Sequence, residues 1–73
     1  MATFSERIKE LRQEKGISQE ELGNIIGVKR FSIYSYEKDK SYPEVKGLIA
    51  LAEYFDVSMD YLAGRTDKRE VNR

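Results

Sequence analysis

The chain has 73 residues, 13 basic and 13 acidic, so its formal net charge is zero and its pI is near 6.3. It holds no cysteine and no histidine, which excludes disulfides, thiolate metal sites, and the commonest metal ligand and general base. A chain this short buries only about 60% of the surface it exposes when unfolded, so it makes one small domain held by packing, and its short apolar runs offer neither a membrane span nor a signal-peptide core, which makes the cytoplasm its default location.

In chain order, Thr3 and Glu6 stand at capping-box spacing, and Phe4, Ile8 and Leu11 recur at three- and four-residue intervals. This predicts a first helix over 3–15, ended by Gly16. Ser18 and Glu21 repeat the spacing before Leu22, Ile25 and Ile26, and Gly27 stops the pattern, so a second helix is expected over about 18–26. A third, about 29–37, follows so closely that the two must be joined by a tight turn. Beyond the polar loop 38–42, Pro43 fits the first turn of a fourth helix over 44–55, with Leu48, Leu51, Ala52 and Phe55 as its inward stripe. Asp56 and Val57 make the next turn, Ser58 caps a short fifth helix with Met59, Tyr61 and Leu62, and Gly64 closes it. Residues 65–73 carry one apolar residue in nine and are expected to fray as a charged tail. The whole reads as all-α, a compact five-helix bundle over residues 1–64.

A neutral total does not announce a nucleic-acid partner, but phosphate attraction acts over about 8–10 Å and answers to local patches. From Lys29 to Lys40 there are four basic residues against two acids. At 100° per residue, Ser32, Ile33, Tyr36 and Glu37 fall on one side of the third helix, and Arg30, Phe31, Tyr34, Ser35 and Lys38 on the other.

The series Ile8, Leu11-Arg12, Gly16 to Leu22, Gly27-Val28, Ser32-Ile33, Tyr36-Glu37, Pro43, Leu51-Ala52, Val57-Ser58 and Leu62 resembles the Cro/phage-repressor (XRE-like) helix-turn-helix family. The resemblance spans residues 4–64 and implies a lambda-repressor-like DNA-binding domain. Small Gly23 and the turn residue Gly27 would let the second and third helices approach closely. Arg12 and Glu37 match family positions that commonly form a partly buried ion pair, although from sequence alone both read as solvated helix charges.

A helix in the major groove presents side chains to base edges while its neighbours grip phosphates. Candidate base contacts are Lys29, Arg30, Phe31, Tyr34 and Ser35. Arg30 leads, because a guanidinium can bond guanine O6 and N7 together. Lys29 stands where the family usually has a Ser or Thr cap, so it also suits a phosphate. Phe31 departs from the polar residue usual there, and contact with thymine methyls stands beside packing against the second helix. Tyr34 and Ser35 could bond bases or phosphates. Candidate backbone contacts are Ser18 and Gln19, at the unpaired amides opening the second helix, and Lys38, Lys40, Ser41 and Tyr42 in the loop.

These residues point to a sequence-specific transcriptional regulator, a repressor in kind, that binds double-stranded DNA as a homodimer. Tyr54, Val57, Met59 and Tyr61 offer a dimer surface, or equally belong to the core. The competing reading is a protein-interaction module of antirepressor or antitoxin type. No nucleophile and base can be paired, so no enzyme is read, and neither a cofactor nor a small-molecule ligand is expected.

Overall fold

Thr3 and Ser18 each begin a helix by the same exchange. The Thr3 hydroxyl accepts the Glu6 amide at 3.4 Å while the Thr3 amide donates to the Glu6 carboxylate at 2.9 Å. Ser18 and Glu21 do the same at 3.0 and 2.9 Å. Each exchange satisfies two amides that the helix itself leaves unpaired. The computed structural model describes residues 2–71, in which these caps open α1 (Phe4–Lys15) and α2 (Gln19–Ile26), followed by α3 (Arg30–Glu37), α4 (Val45–Phe55) and α5 (Met59–Leu62). Helices one to four each start one residue later than the pattern suggests, because Thr3, Ser18, Lys29 and Glu44 take extended backbone as caps. Pro43 therefore precedes α4 and does not enter its first turn.

Among the described residues, the largest side chains wholly removed from water come one from each helix: Ile8, Leu22, Ile33, Leu51 and Leu62. Burying such residues stabilises by about 1.5–3 kcal/mol apiece, and here it makes every helix a wall of one shared core. Val57 and Tyr61 belong to that core at 4% and 5% exposure, the second of the two expectations for them. Tyr54 is half-buried and Met59 remains exposed.

The α2–α3 turn depends on two glycines. Gly27 ends α2 at φ 81°, in the left-handed region. At Gly23 the reason is space, since the Val28 amide bonds the Gly23 carbonyl at 2.8 Å and a Cβ on Gly23 would lie 2.6 Å from the Val28 carbonyl oxygen. Alanine in a helix interior ordinarily gains about 1 kcal/mol over glycine, but backbone crowding of this kind costs about 1–3 kcal/mol. Gly23→Ala is thus expected to destabilise the domain on balance, as a lowered urea midpoint.

Residues 65–71 do not fray. Buried Arg7, 4% exposed, reaches from α1 to donate to the Tyr61 and Thr66 carbonyls at 3.0 and 3.1 Å and to Asp67 at 2.8 Å, with its guanidinium 3.7 Å from the Tyr61 ring centre. Arg69 bonds the Tyr61 hydroxyl at 3.0 Å and the carboxylates of Glu10 and Glu14 on α1, while its carbonyl accepts the Ser58 amide. These bonds raise the Arg69 pKa and lower that of Glu14. Compensation by two arginines explains why a polar segment docks, and the segment is a strap across α1 and α5. Residues 72 and 73 of the expected tail lie outside the described residues.

Candidate nucleic-acid interface

The brace behind α3 is an ion pair. Arg12 on α1 donates through Nε and Nη2 to the two Glu37 carboxylate oxygens at 2.6 and 3.0 Å, and through Nη1 to the Ile17 carbonyl at 2.9 Å. The Arg12 and Glu37 side chains are only 14% and 3% exposed. A two-pronged bond fixes direction as well as distance, and it holds the Arg12 pKa above its ordinary range. The Gln19 side-chain amide adds a 3.2 Å bond to Glu37, so the first residue of α2, the last turn of α1 and the end of α3 meet at one carboxylate.

That network changes the standing of two candidates. Gln19 has its amide nitrogen committed to Glu37, and the Ser18 hydroxyl and amide are both used in the cap. The amides of Gln19 and Glu20 are those at the start of α2 that the cap does not reach. Beside them is a hollow lined by Ser18, Gln19, Glu20 and Arg30, which brings Arg30 next to the opening of α2.

On the outer side of α3, Lys29, Arg30, Phe31 and Tyr34 are exposed. Phe31 is 73% exposed, which sets aside packing against α2, and its ring stacks on Tyr34 with centroids 6.3 Å apart and planes 28° from parallel. Lys38 Nζ stands 5.8 Å from the Tyr34 ring centre. Lys29 supplies no side-chain cap, so its ammonium is free to point outward.

Ser35 does not belong to this side. It is 6% exposed, because the chain turns back after α3 at Asp39, with φ 60°, and sets the Lys40 amide 2.9 Å from the Ser35 carbonyl. A short side chain beneath that turn cannot reach a base. In the loop, Lys38, Lys40 and Ser41 are exposed. Tyr42 is 65% exposed, but its hydroxyl donates to Asp39, which raises its pKa, and its ring centre lies 5.8 Å from that of Phe4. Both acids of the segment are thereby engaged, Glu37 by Arg12 and Asp39 by Tyr42, while its four cations all face solvent.

The helix-turn-helix family model, HTH_3, matches residues 8–62, from α1 to the end of α5. The chain belongs to this Cro/repressor-type helix-turn-helix family. Among curated relatives of this helix-turn-helix chain, the HTH-type transcriptional regulator YobD of Bacillus subtilis (strain 168) is 34% identical over 64 residues, which cover 88% of this chain and 57% of the relative. The HTH-type transcriptional regulator ImmR of the same organism is 30% identical over 70 residues, covering 96% and 55%. The chain thus spans about half the length of these relatives. The P22 c2 repressor, solved in complex with a synthetic operator, superposes with a TM-score of 0.84 at 30% identity, covering 90% of this chain and all of that one. Among the described residues no helix is long and apolar enough to cross a membrane.

Proposed function

We propose that this helix-turn-helix domain is a cytoplasmic, sequence-specific transcriptional regulator, acting as a repressor, that places α3 in the major groove of double-stranded DNA. One observation carries the reading: Lys29, Arg30, Lys38 and Lys40 all face solvent on α3 and its flanks, while the only acids among them are tied to other residues. Arg30 reads a guanine, Phe31 and Tyr34 face base edges, and Lys29, Lys38, Lys40 and Ser41 grip phosphates, with the first amides of α2 closing on one end. The operator complex of the P22 c2 repressor supports this placement by likeness of fold. Binding needs no catalytic step.

One such module makes few base contacts, so we extend the proposal to a homodimer on an inverted repeat with half-sites about 34 Å apart. With Tyr61 buried, a groove of ≈630 Å³ between α4, the start of α5 and the strap, with Val57 on its floor, presents Ile49, Met59 and Val71 to a second copy.

Selection of bound sites from random duplexes tests both the half-site and the spacing. On a selected duplex, log affinity is expected to fall linearly with log salt, by about 0.9 for each phosphate engaged. Arg30→Ala should cost about 1–3 kcal/mol of specific binding and relax preference at one base pair. Lys40→Ala should weaken all sequences alike and flatten the salt slope by about 1. An affinity that ignores salt would favour a protein-interaction module instead.

A further inference from the structure

Asp39 lies between Lys38 and Lys40, on the loop that offers Lys38, Lys40 and Ser41 to phosphates, and it is exposed. Against a phosphate wall its charge works the wrong way. The backbone there has φ 60°, which glycine takes freely and asparagine takes about as well as aspartate, so the turn itself requires no acid. What the acid adds is an acceptor for the Tyr42 hydroxyl.

Tyr42 is held from the other side as well. Its ring centre lies 5.8 Å from that of Phe4, which is 7% exposed and belongs to the core, so the phenol reaches from the core out to the loop and closes on Asp39. The turn after α3 is fixed by backbone, with the Asp39 amide 3.2 Å from the Tyr36 carbonyl and the Lys40 amide 2.9 Å from the Ser35 carbonyl. Lys40 and Ser41 thus stand between two anchors, the end of α3 and the side chain of Tyr42. A loop that has to be ordered at the moment of binding sets that cost against affinity, and one already ordered does not. We infer that Asp39 and Tyr42 form a latch that presets the loop for phosphate contact, as positioning residues that do not touch DNA themselves. This rests on the DNA-binding reading above and gives Tyr42 a different role from the direct backbone contact that the sequence suggests.

The test takes a duplex selected by the intact chain from random DNA, with an unrelated duplex beside it, and follows folding of each variant by circular dichroism. Tyr42→Phe keeps the ring on Phe4 and removes only the hydroxyl. It should weaken binding to both duplexes about fivefold, because the loop meets phosphates and these carry no sequence information. Asp39→Asn keeps an acceptor and removes the repelled charge, so it should bind about threefold more tightly than the intact chain. Asp39→Gly removes charge and acceptor together and should bind about fivefold more weakly than Asp39→Asn. Adding Tyr42→Phe to Asp39→Gly should change nothing further, since the latch is already open. If that addition instead costs as much as Tyr42→Phe does alone, the hydroxyl meets DNA directly and the latch is overturned. Tyr42→Phe binding like the intact chain, or Asp39→Gly binding like Asp39→Asn, overturns it too. In each of these cases DNA binding stands. Failure to select any duplex overturns both.

Discussion

Glu37→Ala is expected to lower the folding free energy by about 3–5 kcal/mol, the usual cost of leaving a buried charge without its partner. The Arg12 side chain, 14% exposed in the intact chain, would keep its bond to the Ile17 carbonyl but lose both carboxylate contacts, and the Gln19 amide would lose its acceptor as well. A domain of this length has on the order of 4–11 kcal/mol in total, so the variant should sit near its unfolding threshold, as urea denaturation followed by circular dichroism would show. The double variant Arg12→Met, Glu37→Leu removes both charges and should regain most of the loss, since apolar pairs of similar volume often replace buried ion pairs without penalty. It should not regain full DNA affinity, because the two-pronged bond sets the direction of α3 and an apolar contact does not. Glu37→Ala with unchanged stability would show that the pair is solvated in practice and braces nothing.

A second large effect is expected at Arg7. Replacing it by alanine removes the donor to the Thr66 carbonyl, one of two donors to the Tyr61 carbonyl, and a cation held against the Tyr61 ring. A lost buried donor costs about 1–3 kcal/mol, and a desolvated cation–π contact contributes about 2 kcal/mol, which together give about 3–5 kcal/mol. Asp67→Asn is the control: its side chain is 76% exposed, and exposed ion pairs are worth about 0–1 kcal/mol. Arg7→Lys keeps the charge without the planar fork and should fall between. Amide exchange at Ser58, which donates to the Arg69 carbonyl, reports directly on release of the strap. The explanation fails if Arg7→Ala costs no more than Asp67→Asn.

These two sites also show what a local reading of sequence can reach. The helices were readable because Thr3, Ser18, Gly27 and Ser58 signal starts and stops within three or four residues, and because the apolar stripes repeat at the same scale. The outward side of α3 was readable for Arg30, Phe31 and Tyr34 by the same angular argument. It failed at Ser35, where burial comes from a loop that folds back, and the angle of a residue on its own helix carries no information about that. The strap was missed for a related reason. Its composition is that of a solvated tail, and it is fixed by arginines paired with groups about 55–60 residues distant. One signal was present: Arg7 lies three residues after Phe4 and four before Leu11, inside the buried stripe of α1, where an unpartnered cation would be too costly to keep. Val57 and Tyr61 were ambiguous because a four-residue helix is too short for its pattern to separate core from surface.

Arg7 and Asp67 stand 60 residues apart in the chain. Closing so long a loop must cost entropy before any contact repays it, whereas the α2–α3 turn joins partners a few residues apart. The turn should therefore assemble early and the strap late. A contact absent from the transition state changes how fast a domain opens and leaves its rate of formation almost untouched, so the C-terminal segment sets the lifetime of the native state, and with it how long α3 stays fit to engage a groove.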